Sequence, residues 1–175
     1  SGSVISVNFA GPGNGAEVEI GSSTSAGAAT NHAGWNNLQW SSFGSSPVLN
    51  SLGGATGVTL SSTTPNNTQS QQRGVLSMTG RTDNGDNRLM SGYITAQGGD
   101  NYTTITLDGL GAGTAFEAYD IYVYFGPLGH GAHIHDGTTS YYLSDAGIAD
   151  FTQKSHFIQA TSTENSNVAA ANYAV

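Results

Sequence analysis

The chain contains no cysteine, which excludes disulfides, thiolate metal ligands and a cysteine nucleophile. Charge is almost as scarce: Asp, Glu, Lys and Arg together make up 9% of the residues, against about a quarter in an ordinary globular domain. Only four residues are basic, and twelve acidic ones leave a net charge of −8. A phosphate backbone would be repelled, so nucleic acid is not an expected partner, and an anionic membrane surface is disfavoured on the same ground. No run approaches the ~18 apolar residues that a membrane-spanning helix needs. The Gly-x-Ser-x-Gly, His-Glu-x-x-His and Walker signatures are missing as well. Gly109-Leu110-Gly111-Ala112-Gly113 joins two strand-like segments rather than opening a helix, so it reads as a turn and not as a phosphate cradle. With no nucleophile, acid–base pair or phosphate loop identified, the chain is expected not to be an enzyme.

What the chain does have is glycine, 25 residues of it, with serine, threonine and asparagine filling much of the rest. Hydroxyls and amides must therefore wet most of the surface. This texture suits an extracellular or cell-surface β protein, and the shortage of lysine removes one usual guard of exposed sheet edges. The 175 residues suffice for one domain spanning the whole chain. The opening Ser1, followed within three residues by a strand-like pattern, is what a mature exported product would show.

Alternation with a period of two is the dominant pattern, and no window carries a helical stripe. Ile5, Val7 and Phe9 alternate with Ser6 and Asn8, and Ala16, Val18 and Ile20 alternate with Glu17 and Glu19. Further strand-like segments cover 58–61, 74–79, 89–96, 103–107, 118–125, 132–135, 140–143, 156–161 and 172–175. Asp136-Gly137 predicts a tight hairpin after His135, and the polar stretch 61–72 reads as a surface loop. Many short strands between Gly-rich turns predict an all-β jelly-roll sandwich of two antiparallel sheets.

Val4-Ile5-Ser6-Val7-Asn8-Phe9, Asn87-Arg88-Leu89-Met90-Ser91-Gly92-Tyr93, and Leu110-Gly111-Ala112-Gly113-Thr114 followed by Tyr119-Asp120-Ile121-Tyr122-Val123-Tyr124 carry a family resemblance. Together they resemble secreted bacterial jelly-roll domains of the kind found in exported proteins with PEP-CTERM sorting tails. In general style they are also similar to malectin-type and galactose-binding-like sandwiches. The resemblance covers about the first 145 residues and implies a fold rather than an activity. Such domains would continue past Tyr173 and Val175 with further strands, so a strand from a neighbouring copy is expected to complete the sandwich. Val4, Ile5, Val7 and Phe9 at one end, and Tyr173 and Val175 at the other, are the expected assembly strands. The leading expectation is thus a structural subunit that forms homo-oligomers by strand exchange, as a fibre or surface layer.

Three constellations offer other chemistry. Trp35, Asn37 and Trp40 place rings beside amides, which suits stacking on and hydrogen bonding to a glycan; the alternative is that both tryptophans plug one end of the sandwich. His130, His133 and His135 lie within six residues, and the last two share one side of a strand, which suits a transition metal; a decorated hairpin is the plainer reading. Asp83 and Asp86, with Asn84 and Asn87 around Gly85, present the hard oxygens that suit calcium, although the same residues simply make tight turns. Tyr122, Tyr124, Tyr141 and Tyr142 form either a sheet-face patch or cross-strand pairs. Asn66-Asn67-Thr68 and Asn101-Tyr102-Thr103 match the glycosylation sequon.

Overall fold

A computed structural model of the chain describes residues 3–10, 18–27, 31–38, 45–63, 72–75, 77–95, 104–124, 132–135, 140–144, 146–161 and 169–175. In chain order the strands are β1 (Ser6–Phe9), β2 (Trp35–Leu38), β3 (Ser46–Leu49), β4 (Ala55–Thr63), β5 (Gln72–Val75), β6 (Gly92–Thr95), β7 (Thr104–Asp108), β8 (Val123–Tyr124), β9 (Ala132–His135), β10 (Ser140–Ser144), β11 (Ala169–Ala170) and β12 (Tyr173–Ala174). Helix is limited to α1 (Gly85–Leu89) and short 3-10 turns, so the described chain is all-β. None of these helices is long and apolar enough to cross a membrane.

The sheets are small. β3, β4 and β7 form an antiparallel three-stranded sheet, β5 pairs with β6, and β8 pairs with β12, each antiparallel. β9 and β10 form the expected hairpin with His135 opposite Ser140, so four residues rather than two join them; Asp136 and Gly137 themselves lie outside the described residues. Two pairs depart from an all-antiparallel plan. β1 runs parallel to β2, with Ser6 opposite Trp35 and Phe9 opposite Leu38, and β10 runs parallel to β11.

Local chemistry explains several of these elements. The β3–β4 hairpin turns at Asn50, whose Oδ1 accepts from the backbone N–H groups of Leu52 and Gly54 at 3.0 and 2.9 Å, while Gly53 takes φ +81°. α1 starts at Asn84, whose side chain accepts from the Asn87 N–H at 2.8 Å and satisfies one of the free donors of the first turn. Along β4, Val58 and Leu60 turn inward on alternate positions and join Val48 and Phe116, with Ile5, Val7, Phe9 and Leu107 packed around them. A second cluster gathers Ile20, Ala26, Leu89, Met90, Phe151 and Phe157, sealed by Trp35, Tyr124 and Tyr173.

Several expectations need correction. Val18 and Ile20 are buried as their alternation suggests, but 18–20 is no strand: the Asn37 side chain occupies the backbone of Ile20 that a neighbouring strand would use. In β1 the most buried side chains are Ser6 and Asn8, and Ile5, Val7 and Phe9 are half-buried, because both faces of the strand are covered. Of 118–125, whose last residue lies outside the described ones, Val123 and Tyr124 pair with β12, and Tyr119 and Ile121 stay exposed. Segment 156–161 begins as a 3-10 turn and contributes one bridge, Gln159 to Tyr173. Segment 89–96 begins as the end of α1 before β6 starts.

Candidate functional site

Asparagine amides stand in for missing strand neighbours, and this joins the small sheets. A carboxamide presents one acceptor and two donors, the groups of a peptide unit on a side chain. Asn36 and Asn37 are adjacent in β2 and point to opposite sides. Asn36 accepts from Leu49 N and donates to Leu49 O, both at 2.8 Å, and so ties β2 to β3. Asn37 does the same to Ile20, at 3.0 Å for each bond, and also accepts from Asn8 at 2.9 Å. Asn172 accepts from Ile158 N and donates to His156 O, both at 2.8 Å.

The densest polar knot surrounds α1. Asn87 is fully buried; its Nδ2 donates to Thr82 O at 2.8 Å and to Asp150 Oδ1 at 2.5 Å, and its Oδ1 accepts from Phe151 N at 2.7 Å. Arg88 holds Asp83 through two bonds of 2.7 and 3.1 Å and reaches Glu19 O at 2.9 Å. Lys154 Nζ donates to both oxygens of Asp86, at 2.9 and 2.6 Å, and to Gly27 O at 2.9 Å. Arg81 donates to Ser91 Oγ at 2.7 Å. Arg81, Arg88 and Lys154 thus each tie one stretch of the chain to another.

The carboxylates respond to these ties. The Thr82 backbone N–H, donating to Asp150 Oδ1, holds the Asp150 carboxyl below the usual carboxylate range, helped by Asn87, the Thr82 hydroxyl and Arg81 and opposed by burial. The hydrogen bonds and charge of Arg88 do the same to Asp83. Both groups hold protons more weakly in the folded chain than in the unfolded one. The stability they lend is complete above about pH 5, begins to fade as the pH falls through the unfolded value of about 4 and is lost as it passes their folded values. The thermal midpoint is expected to drop between about pH 5 and about pH 2, and to drop less in Asp150→Asn; equal slopes would remove Asp150 from this account.

Glu19, Ser22, Thr24, Asn37, Asn84 and the Asp83–Arg88 pair line an open cleft of about 630 Å³ beside this knot. Apart from Ile20 its described lining is mostly polar, and no aromatic ring stands among the described lining residues. No protein-family model, curated protein or solved structure matches the chain.

The expected site residues fall as follows. Trp35 is half-buried against the second cluster and donates from Nε1 to His32 O at 2.8 Å. Asn37 has its amide committed to Ile20 and Asn8, and Trp40 lies outside the described residues. Asp83 and Asp86 answer to different cations, Arg88 and Lys154. His133 and His135 lie two apart on β9, whereas His130 and both sequons lie outside the described residues. Among the described residues no three metal-ligating His, Asp or Glu side chains come together. The segments of Val4, Ile5, Val7 and Phe9, and of Tyr173, are paired within their own chain: β1 with β2, and Tyr173 with both Tyr124 and Gln159. Val175 follows β12 and is partly exposed.

Two features escaped the sequence reading. Tyr173 stacks between Tyr122 and Tyr124, at centroid distances of 6.5 and 6.0 Å, and its hydroxyl lies 3.3 Å from Gln159 Oε1. The second feature is an asymmetry in the β3–β4–β7 sheet. Its β3 edge is guarded by Pro47, which has no N–H, and by the Asn36 amide on Leu49. β7, the opposite edge, pairs only with β4 among the described strands, and Thr104, Ile105, Thr106 and Asp108 are exposed. No lysine, proline or glycine interrupts it.

Proposed function

We propose that this chain is a non-catalytic extracellular structural domain that associates with copies of itself. The observation that carries the reading is the edge of β7, which among the described strands pairs only with β4 and carries an exposed Ile105, so that its outer backbone groups invite another strand. Two further features agree with it. Arg81, Arg88 and Lys154 act as internal ties, and Asp83 and Asp150 are shifted toward the ionised form, opposite to what a general acid needs. The association does not use the terminal segments as donated strands, since β1 and β12 have partners at home. In fold, the reading is a jelly-roll sandwich of the secreted bacterial kind, with the parallel β1–β2 and β10–β11 pairs as its departures from an antiparallel plan. The same resemblance supplies the extracellular setting.

A glycan-binding module is the second reading, favoured by the Tyr122–Tyr173–Tyr124 stack beside Gln159, where rings and an amide meet as sugar sites require. One preparation decides between the two. In size-exclusion chromatography with light scattering the chain is expected to pass from monomer to a larger species as concentration rises. Salt should favour the larger species by screening the −8 charge that each copy carries. A monomer at all concentrations that binds a glycan array, and loses that binding in Tyr122→Ala, would transfer the conclusion to the second reading.

A further inference from the structure

We infer that β7 pairs with β7 of a second copy, antiparallel, about a two-fold axis at Thr106. This rests on the self-association proposed above and names its seam. The sequence of the strand is compatible with its own reversal. With Thr106 facing the partner's Thr106, Ile105 lies opposite the partner's Leu107 and Thr104 lies opposite the partner's Asp108. Apolar meets apolar, hydroxyl meets hydroxyl, and the only charge in the strand meets a threonine rather than its own copy.

Register follows from the faces. Residues 105 and 107 share one side of the strand, the side on which Leu107 packs against the cluster of Val48, Val58, Leu60 and Phe116. Pairing about Thr106 sets Ile105, which is 41% exposed, beside the partner's Leu107 and extends that apolar face from one molecule into the next. A slip of one residue would turn the partner's apolar face to the opposite side of the sheet. A slip of two would keep only three of the five residues of β7 paired. The centred register alone pairs all five with the faces matched. The result is a continuous six-stranded sheet, β3–β4–β7 followed by the same three in reverse, closed by an isologous contact. Its outer edges are the two copies of β3, guarded by Pro47.

The absence of cysteine makes the test clean, because a single introduced thiol is unique. Opposed residues of an antiparallel pair have Cα atoms about 4.5 to 5.5 Å apart, within disulfide range. Position 106 faces itself across the axis, whereas position 104 lies about 14 Å from its own copy, four residues of strand rise away. Under a mild thiol oxidant, Thr106→Cys is expected to give a covalent dimer and Thr104→Cys to give none. Ile105→Lys, at an exposed site, is expected to lose the associated species while its circular dichroism stays that of the parent. If the chain associates but Thr106→Cys stays uncrosslinked, or Thr104→Cys crosslinks as readily, this seam is overturned while self-association stands. A chain that remains monomeric at every concentration overturns both.

Discussion

Asn87→Ala is expected to lower the unfolding free energy by about 3 kcal/mol and the thermal midpoint by about 10 °C. Asn87 is fully buried, and its side chain satisfies the Phe151 N–H and the Thr82 carbonyl while bridging to Asp150. Alanine would leave both backbone groups without a partner, at about 1 to 3 kcal/mol each, and a small cavity beside them. The bonds cross 63 and 64 positions of sequence, so the same change loosens the attachment of the 150–151 segment to α1. Asn87→Asp separates the two contributions. It keeps the acceptor for Phe151 but sets a second carboxylate against Asp150, so it is expected to be destabilised at neutral pH and to recover partly in acid. Urea titration of the three proteins at pH 7 measures this, and a loss under about 1 kcal/mol for Asn87→Ala would remove the knot from the account of stability.

Gly92→Ala is expected to cost about 3 kcal/mol or more, for a different reason. A Cβ on Gly92 would sit 2.1 Å from the Phe9 carbonyl oxygen and 3.0 Å from its carbon. These are backbone atoms and cannot rotate aside, so β6 would have to move away from the end of β1 and unseat Phe9 from the apolar cluster that Val58 and Leu60 anchor. Gly53→Ala is the contrasting case. Gly53 has φ +81° with nothing within 4 Å of the added carbon, so only conformational strain of about 1 kcal/mol is expected. Thermal unfolding of both variants tests the comparison; equal losses would mean that close approach contributes nothing at Gly92.

The sites were less legible than the strands. Asp83 and Asp86 carry the residue types of a cation site, and the fold gives each a protein cation, Arg88 and Lys154, the second from 68 positions away. No local pattern announces such a partner. Trp35 has residue chemistry that suits both a sugar and the end of a sandwich, and it packs against the cluster that holds Ile20, Phe151 and Phe157. The tyrosine stack needed β8 and β12 side by side, which separate stretches of sequence cannot show.

By itself the sequence determined the class of the fold. Period-two alternation is local, so it marked segments of β1, β4, β7, β9 and β10, and composition is global, so it set the net charge of −8. Only the tertiary structure decided which neighbour each segment has. Alternation tells a residue's side but not its partner: Val18 and Ile20 were marked as buried, yet an asparagine side chain took the place of a neighbouring strand, and β1 found a parallel mate. For the same reason no local pattern shows that β7 stands last in the described β3–β4–β7 sheet.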